Sequence, residues 1–320
     1  MTPRYAWIGA HAEGLAALDA LLDAGAPIVA VFTLTPERAA RRSGSVDYRA
    51  VCARHGVPLI PTTNVNDADT VRRLEDLDLD LLFVIGWSQI LRPAALRAAR
   101  FGAIGAHASL LPANRGSAPV NWAIIRGERR GGNSLIWLAD DVDAGAVIDQ
   151  TEFCITPYDT CATVYAKVTE SNREMLLRVL PRLLAGERPG RPQPATAEPV
   201  LPRRRPADGA IDWRREGRAV YDFVRALTRP YPGAFGHLDG RRWTVWQAAL
   251  LPPPLTNGAV PGQVIGPVIS PEPAACGLAV QCHGGGVVLL EVENDDGVVL
   301  RGPALAEQPW TGKQWSLPDG

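Results

Sequence analysis

Three observations predict an α/β protein. Short apolar runs alternate with amphipathic stretches through the first half of the chain. Strand-like segments broken by Gly and Pro fill the last third. A Pro- and Arg-rich stretch, GERPGRPQPATAEPVLPRRRP at 186–206, lies between them. The expected architecture is a Rossmann-like, mostly parallel sheet with helices on both faces, followed by a small C-terminal β-barrel. The expected divisions are 1–186, an extended linker at 187–207, and a helix plus barrel at 208–320.

Tyr5 to Gly9 reads as the first strand. Gly9-Ala10-His11-Ala12-Glu13-Gly14 then turns into a helix ending near Asp23. The turn is faintly like a dinucleotide fingerprint, but His11 stands where the middle glycine belongs, and a tight strand–helix turn accounts for the glycines. Ile28 to Phe32 is a strand, Val46 to His55 a helix, Pro58 to Ile60 a strand, Ala68 to Leu77 a helix, and Leu79 to Ile85 a fully apolar strand. Asn133 to Leu138 alternates as a strand and Ala146 to Phe153 returns, so the acidic loop Asp140 to Gly145 closes a hairpin. Asp159 caps a helix from Thr160 to Leu184 whose stripe is Val164, Val168, Met175, Leu176, Val179 and Leu183. Past the linker come a helix from Arg214 to about Leu227 and strands at Trp243–Ala248, Gly262–Ile265, Leu278–Cys282 and Val287–Val292. Such short strands suggest a barrel of oligonucleotide-binding (OB) type.

The net charge of -1 gives no general pull toward nucleic acid. No apolar run would span a bilayer and no cationic leader is visible, so a cytoplasmic protein without a membrane partner is expected. The five cysteines are scattered, with no Cys-x-x-Cys, and no two of the five histidines have helical metal-ligand spacing. Neither a disulfide framework nor a metal is expected.

The informative stretch is Gly102 to Trp122, GAIGAHASLLPANRGSAPVNW. Ala103 to Ala106 reads as the end of a buried strand, which puts His107 where open α/β sheets place their chemistry. Pro112 and Asn114-Arg115-Gly116 turn the chain, and Ser117 with Pro119 starts a helix. His107, Ser109, Leu110, Leu111, Pro112, Arg115, Gly116, Pro119 and Trp122, followed by Asp143-Ala144-Gly145, resemble the folate-dependent formyltransferases. Asp208-Gly-Ala-Ile-Asp-Trp213 and Pro230-Tyr-Pro-Gly-Ala-Phe235 extend that resemblance, which is firm through about residue 238. The branch acting on nucleotide-linked amino sugars is the nearer one.

The resemblance implies N10-formyl-tetrahydrofolate as formyl donor and a small-molecule amine as acceptor. It implies catalytic roles for His107 and Asp143. Gly86, Trp87, Ser88, Gln89, Ile90, Leu91 and Asp140 would hold the folate, and Ser109, Arg115 and Tyr231 the acceptor. It is also compatible with a homodimer. Formyl transfer passes through a tetrahedral carbon bearing an oxyanion. A His can stabilise that oxyanion or shuttle a proton, and a carboxylate can orient the His. The family's catalytic Asn falls here on Gly105. Losing one oxyanion donor costs about a hundred- to thousandfold in rate. Another donor replaces it, or the enzyme is slow, or the protein is a folate-binding pseudoenzyme or a formyl-folate hydrolase. Asn133 on the neighbouring strand is a candidate replacement, and water in the vacated space is another. Methionyl-tRNA formyltransferase is the rival acceptor reading. The short Thr35–Ser45 loop and the charge speak against it, and the Arg203–Arg205 run speaks for it.

Overall fold

Seven strands form one sheet: β1 (Tyr5–Ile8), β2 (Ile28–Leu34), β3 (Leu59–Thr62), β4 (Leu81–Val84), β5 (Ala103–His107), β6 (Arg130–Trp137) and β7 (Val147–Cys154). Their order is β3-β2-β1-β4-β5-β6-β7. The first five strands run parallel. β6 and β7 are an antiparallel hairpin added beside β5. The expected mostly parallel sheet is therefore present, with the expected hairpin at its edge.

Burial on both faces explains why β1 and β4 are apolar throughout. Trp7, Phe83 and Ile104 pack on one face against Leu18 and Leu21 of the helix Ala12–Asp23, and against Met175, Leu176 and Val179 of the helix Cys161–Leu184. Ile8, Phe32, Val84 and Leu91 form the core on the other face with Leu74. Each such side chain contributes about 1.5–3 kcal/mol by leaving water. Chain order reverses between β1 and β4, which opens a crevice beyond the carboxyl ends of those two strands.

The computed structural model describes residues 2–251 and 258–316. Two compact units are present. One holds the chain up to Pro119, Arg130–Cys154 and Val164–Pro202; the other holds Val120–Arg129, Ile155–Thr163 and the chain from Arg203. The division therefore does not fall at one point in the 187–207 stretch, as the composition suggests. In the second unit, buried Arg225 pairs with buried Asp222 (2.7 Å) and donates to the carbonyls of Thr156 and Asp159. That network clips the 155–163 excursion onto the helix Gly217–Leu227.

The second unit's sheet contains β8 (Ala234–Leu238), β9 (Arg241–Leu251), β10 (Val264–Val268), β11 (Gly277–Cys282), β12 (Gly285–Asn294) and β13 (Val299–Arg301). It is antiparallel, in the order β10-β11-β12-β9-β8 with β13 beside β12. Trp213, Trp243, Trp310 and Trp315 meet within it.

Three local expectations shift. The helix expected from Val46 begins at Arg49. Val46 is held to the turn after β1 by its N–H on the Ala10 carbonyl, and Asp47 accepts the Arg49 N–H. The helix expected from Arg214 begins at Gly217, because Asp212 accepts the Arg214 N–H in a preceding turn. β8 is an additional strand. Asp239-Gly240, both at positive φ, make the two-residue turn into β9.

Candidate active site

His107 is the last residue of β5 and pairs in register with Ser134 of β6. Its Nδ1 lies 3.4 Å from Asp143 Oδ2, and its Nε2 donates to the Asn114 carbonyl at 2.8 Å. Both side chains are largely withdrawn from solvent. An imidazole facing an acceptor on each side is satisfied at both nitrogens only when it carries both protons. Asp143 Oδ2 also accepts the Gly116 N–H at 2.9 Å. The His loop and the Asp loop therefore meet at one oxygen.

Neither loop holds this shape by itself. Ser134 Oγ donates to the Ser109 carbonyl (2.6 Å) and accepts the Leu111 N–H (3.0 Å). Gln150 Nε2 donates to the Leu111 carbonyl and to Ser134 Oγ, both at 2.9 Å. Ser109 Oγ is engaged with the Ala113 carbonyl at 2.7 Å, so this side chain shapes the turn and is not free for an acceptor. Asp143 sits at φ +55°, a left-handed conformation costing a non-glycine residue about 1–3 kcal/mol. Gln193 Nε2 compensates by donating to the carbonyls of Asp143 (2.7 Å) and Gly145 (2.8 Å). Residue 145 must be glycine, because a Cβ there would fall 1.7 Å from the Trp137 carbonyl oxygen.

Gln193 belongs to the stretch expected to be a plain linker. That stretch lies back on the first unit as a strap. Arg191 exchanges backbone hydrogen bonds with Val147, and Leu201 N–H donates to the Arg115 carbonyl while its own carbonyl accepts from Ser117. The strap thus holds the Asp loop at Gln193 and the His loop at Leu201.

The space beside Gly105 is filled. A Cβ on Gly105 would come within 2.6 Å of Leu138 Cδ2. Water in a vacated carboxamide site is therefore not what this chain has; Leu138 occupies the place. Asn133 is not the replacement either. It is fully buried, pairs with Thr151, and gives its Nδ2 to Ser171 Oγ (2.9 Å) and Asn172 Oδ1 (2.6 Å) on the long helix. Arg115 Nε is buried without a partner among the described residues.

The loop after β4 begins at Gly86, with φ +65°. Trp87 is half-buried, its buried Nε1 without a partner among the described residues; Ser88 and Ile90 are exposed, and Leu91 is buried in the core. Gln89 anchors this loop: its Oε1 accepts the Val65 N–H and its Nε2 donates to the Thr63 carbonyl, both at 2.9 Å. Its side chain is thus occupied, leaving the backbone, Trp87 and Ile90 to meet a ligand. Asp140 is exposed in the loop after β6. Tyr231 belongs to the second unit, where its N–H donates to the Thr228 carbonyl.

Sequence reasoning missed a polar group at the crevice between β1 and β4. His11 Nδ1 lies 4.0 Å from Glu13 Oε1. Burial pushes the Glu13 carboxyl up to about 7, and burial together with the Arg42 charge holds His11 below its ordinary value. His11 Nε2 and Ser45 Oγ are buried without partners among the described residues. The only signal was the Gly9–Gly14 turn itself. Elsewhere Asp19, Asp23 and His55 cluster at the surface, where Arg54 also donates to Asp19.

The first unit is thus a mostly parallel sheet with a His–Asp pair at the carboxyl end of β5, beside a loop that exposes an apolar residue. The chain belongs to the formyl transferase family. The family's formyl transferase domain matches residues 9–180, and the formyl transferase C-terminal domain matches 204–309. Solved structures share the fold at low identity. HypX from Aquifex aeolicus, in complex with tetrahydrofolic acid, is 18% identical with a TM-score of 0.66, over 94% of this chain and 46% of HypX. The chain thus spans about half the length of HypX. The N-formyltransferase from Helicobacter canadensis, in complex with folinic acid and dTDP-3-aminofucose, is 14% identical with a TM-score of 0.62, over 90% of this chain and 98% of that one. WlaRD, a sugar 3N-formyl transferase with dTDP and 5-N-formyl-THF, is 12% identical with a TM-score of 0.61, over 93% and 100%.

Two predictions follow from the packing. Gly105→Asn forces Leu138 aside and lowers stability by about 1–3 kcal/mol, as overpacking does; chemical denaturation measures it, and Leu138→Ala in the same chain recovers most of the loss. Glu13 has a raised native pKa, so its contribution to stability is full below its ordinary value near 4.5 and is lost as pH rises through about 7. His11, with a lowered pKa, acts oppositely and costs stability as pH falls. Melting midpoints of Glu13→Gln and wild type should coincide below about pH 4.5 and separate progressively between there and about pH 7, with the variant higher and the gap constant above.

Proposed function

We propose that this chain moves a formyl group from N10-formyl-tetrahydrofolate to the primary amine of a small molecule, a nucleotide-linked amino sugar being the best-supported class. The observation that carries the reading is the His107–Asp143 pair, assembled from the two motif segments at the carboxyl edge of the sheet. The named ligands of the Helicobacter canadensis protein and of WlaRD, a folate derivative in each case and a dTDP-linked amino sugar or dTDP, support the donor and acceptor classes.

The loop after β4 fits a folate ring. Trp87 offers a half-buried ring, and Ile90, 68% exposed, offers apolar surface that water does not reward. Formyl-folate would supply an electrophilic carbonyl carbon on a nitrogen leaving group. His107 supplies a positively charged N–H donor to the carbonyl oxygen as negative charge gathers there. To do so its Nε2 exchanges the Asn114 carbonyl for that oxygen. Asp143 holds Nδ1 throughout and keeps the ring turned toward the site. In the turn beside His107, the Ser109 N–H is taken by the His107 carbonyl (2.7 Å) and the Leu111 N–H by Ser134 Oγ (3.0 Å), so with Leu138 in place of a carboxamide the Leu110 N–H is the backbone donor this turn has left for an oxyanion.

A tRNA acceptor has less support. In the second unit, Arg204 lies over the rings of Trp122 (4.9 Å) and Phe223 (5.5 Å) and donates to the Asp208 carbonyl. The middle arginine of the Arg203–Arg205 run is therefore engaged within the unit, while Arg203 and Arg205 are exposed.

The test is a mass-spectrometric screen of amines incubated with formyl-folate and the full chain. A formyl gain on a small amine is expected from wild type, and His107→Ala should lose at least about a hundredfold in rate while still folding. Release of free formate with no amine product would move the reading to a hydrolase.

A further inference from the structure

The His107–Asp143 pair depends on a backbone conformation that Asp143 does not hold alone. Its φ of +55° lies in the left-handed region. Two groups close on the turn it starts. The Trp137 carbonyl lies against Gly145, where no Cβ fits. The Gln193 carboxamide takes the carbonyls of Asp143 (2.7 Å) and Gly145 (2.8 Å) on its two N–H bonds. One amide nitrogen bridging both carbonyls fixes the peptide planes that follow Asp143 and Gly145. The first of these planes is bonded to the Asp143 Cα, so it sets the direction in which the carboxylate leaves the chain.

Gln193 is itself presented rigidly. It lies in Arg191-Pro192-Gln193-Pro194. Each Pro ring locks its own φ, and Pro194 drives Gln193 toward extended backbone. Arg191 exchanges backbone hydrogen bonds with Val147, both at 2.8 Å, and its guanidinium donates to Gln150 Oε1 at 2.8 Å. The segment is therefore pinned to β7 just before Gln193. Farther along, Leu201 crosses Gly116 so closely that a Cβ there would fall 2.5 Å from the Leu201 carbonyl oxygen. Gly116 is the residue whose N–H holds Asp143 Oδ2. The strap thus acts on Asp143 twice, at its backbone through Gln193 and at its carboxylate through the Gly116 turn.

The remaining atom of the Gln193 carboxamide tells against a link that serves stability alone. Gln193 Oε1 is buried and has no partner among the described residues. A buried acceptor left unmatched is destabilising, which offsets part of what the two N–H bonds contribute. Such an imbalance is expected where a side chain serves the geometry of a functional residue.

We propose that Gln193 is a positioning residue for formyl transfer, acting through Asp143 to keep the carboxylate on His107 Nδ1. This rests on the formyl-transfer reading. The test uses the full chain. The ring 15N shifts of His107 at pH 7, identified by their loss in His107→Ala, are compared in wild type, Gln193→Met and Asp143→Asn; Met keeps the length of Gln and has no N–H to donate. Gln193→Met should move both shifts in the direction of Asp143→Asn. With the amine that wild type formylates, it should lower kcat at least about tenfold while folinic acid affinity stays within about twofold. In the Asp143→Asn background the same substitution should cost less than about twofold, because a residue acting through Asp143 then has nothing left to position. His107 shifts equal to wild type in Gln193→Met would overturn the proposal. So would a tenfold loss repeated in full in Asp143→Asn, or a lowered melting midpoint with kcat unaltered. If Gln193→Met does not fold, Gln193→Glu, which also lacks the N–H donors, decides on the same shifts, and values equal to wild type overturn it. Should wild type formylate no amine, the formyl-transfer reading fails and Gln193 is judged on the ring shifts alone.

Discussion

The contact between His107 and Asp143 is the constraint on which the rest of the first unit turns. It joins two loops that the chain reaches 36 positions apart, one after β5 and one after β6. The same Asp143 oxygen that faces His107 also takes the Gly116 N–H, so a shift of either loop changes both. Asp143 reaches this position only in a left-handed conformation, held by Gln193 from the strap and made accessible by the absence of a side chain at Gly145. Strain at one functional residue is thus balanced by hydrogen bonds from a segment remote in sequence.

Leu138 gives the site its particular character. The side chain is apolar and occupies the place that a carboxamide on residue 105 would need. On the formyl-transfer reading, an oxyanion forming there meets an apolar wall on that side and the His107 ring on the other. Electrostatic stabilisation by one cation in a less polar pocket can offset part of a lost hydrogen-bond donor, because both act on the same developing charge.

Much of the fold was legible because it rests on period and punctuation. β1 and β4 are uniformly apolar, the stripe Val164, Val168, Met175, Leu176, Val179 and Leu183 is buried as its spacing requires, and the β6–β7 hairpin follows from alternation. His107 and Asp143 were legible through their motif neighbours. What stayed hidden has no local signature. Ser134 and Gln150 act because register places them under the Leu111 turn, and Leu138 acts because its side chain folds over Gly105. The strap reads as Pro-rich coil, and only the folded chain reveals that Gln193 and Leu201 grip the Asp143 and His107 loops. Glu13 carries no signal in the sequence beyond its place in the first turn of a helix; burial and the Gly86 contact set its environment.

The central claim is that Asp143 acts through His107 in moving a formyl group. The most direct measurement is the pH–rate profile of formyl transfer by Asp143→Asn beside wild type, with folinic acid affinity determined on the same samples. The account predicts a kcat lower by at least about a hundredfold, a profile of different shape, and unchanged folate affinity. A variant with wild-type rate and profile would contradict it and leave Asp143 a residue of the loop alone.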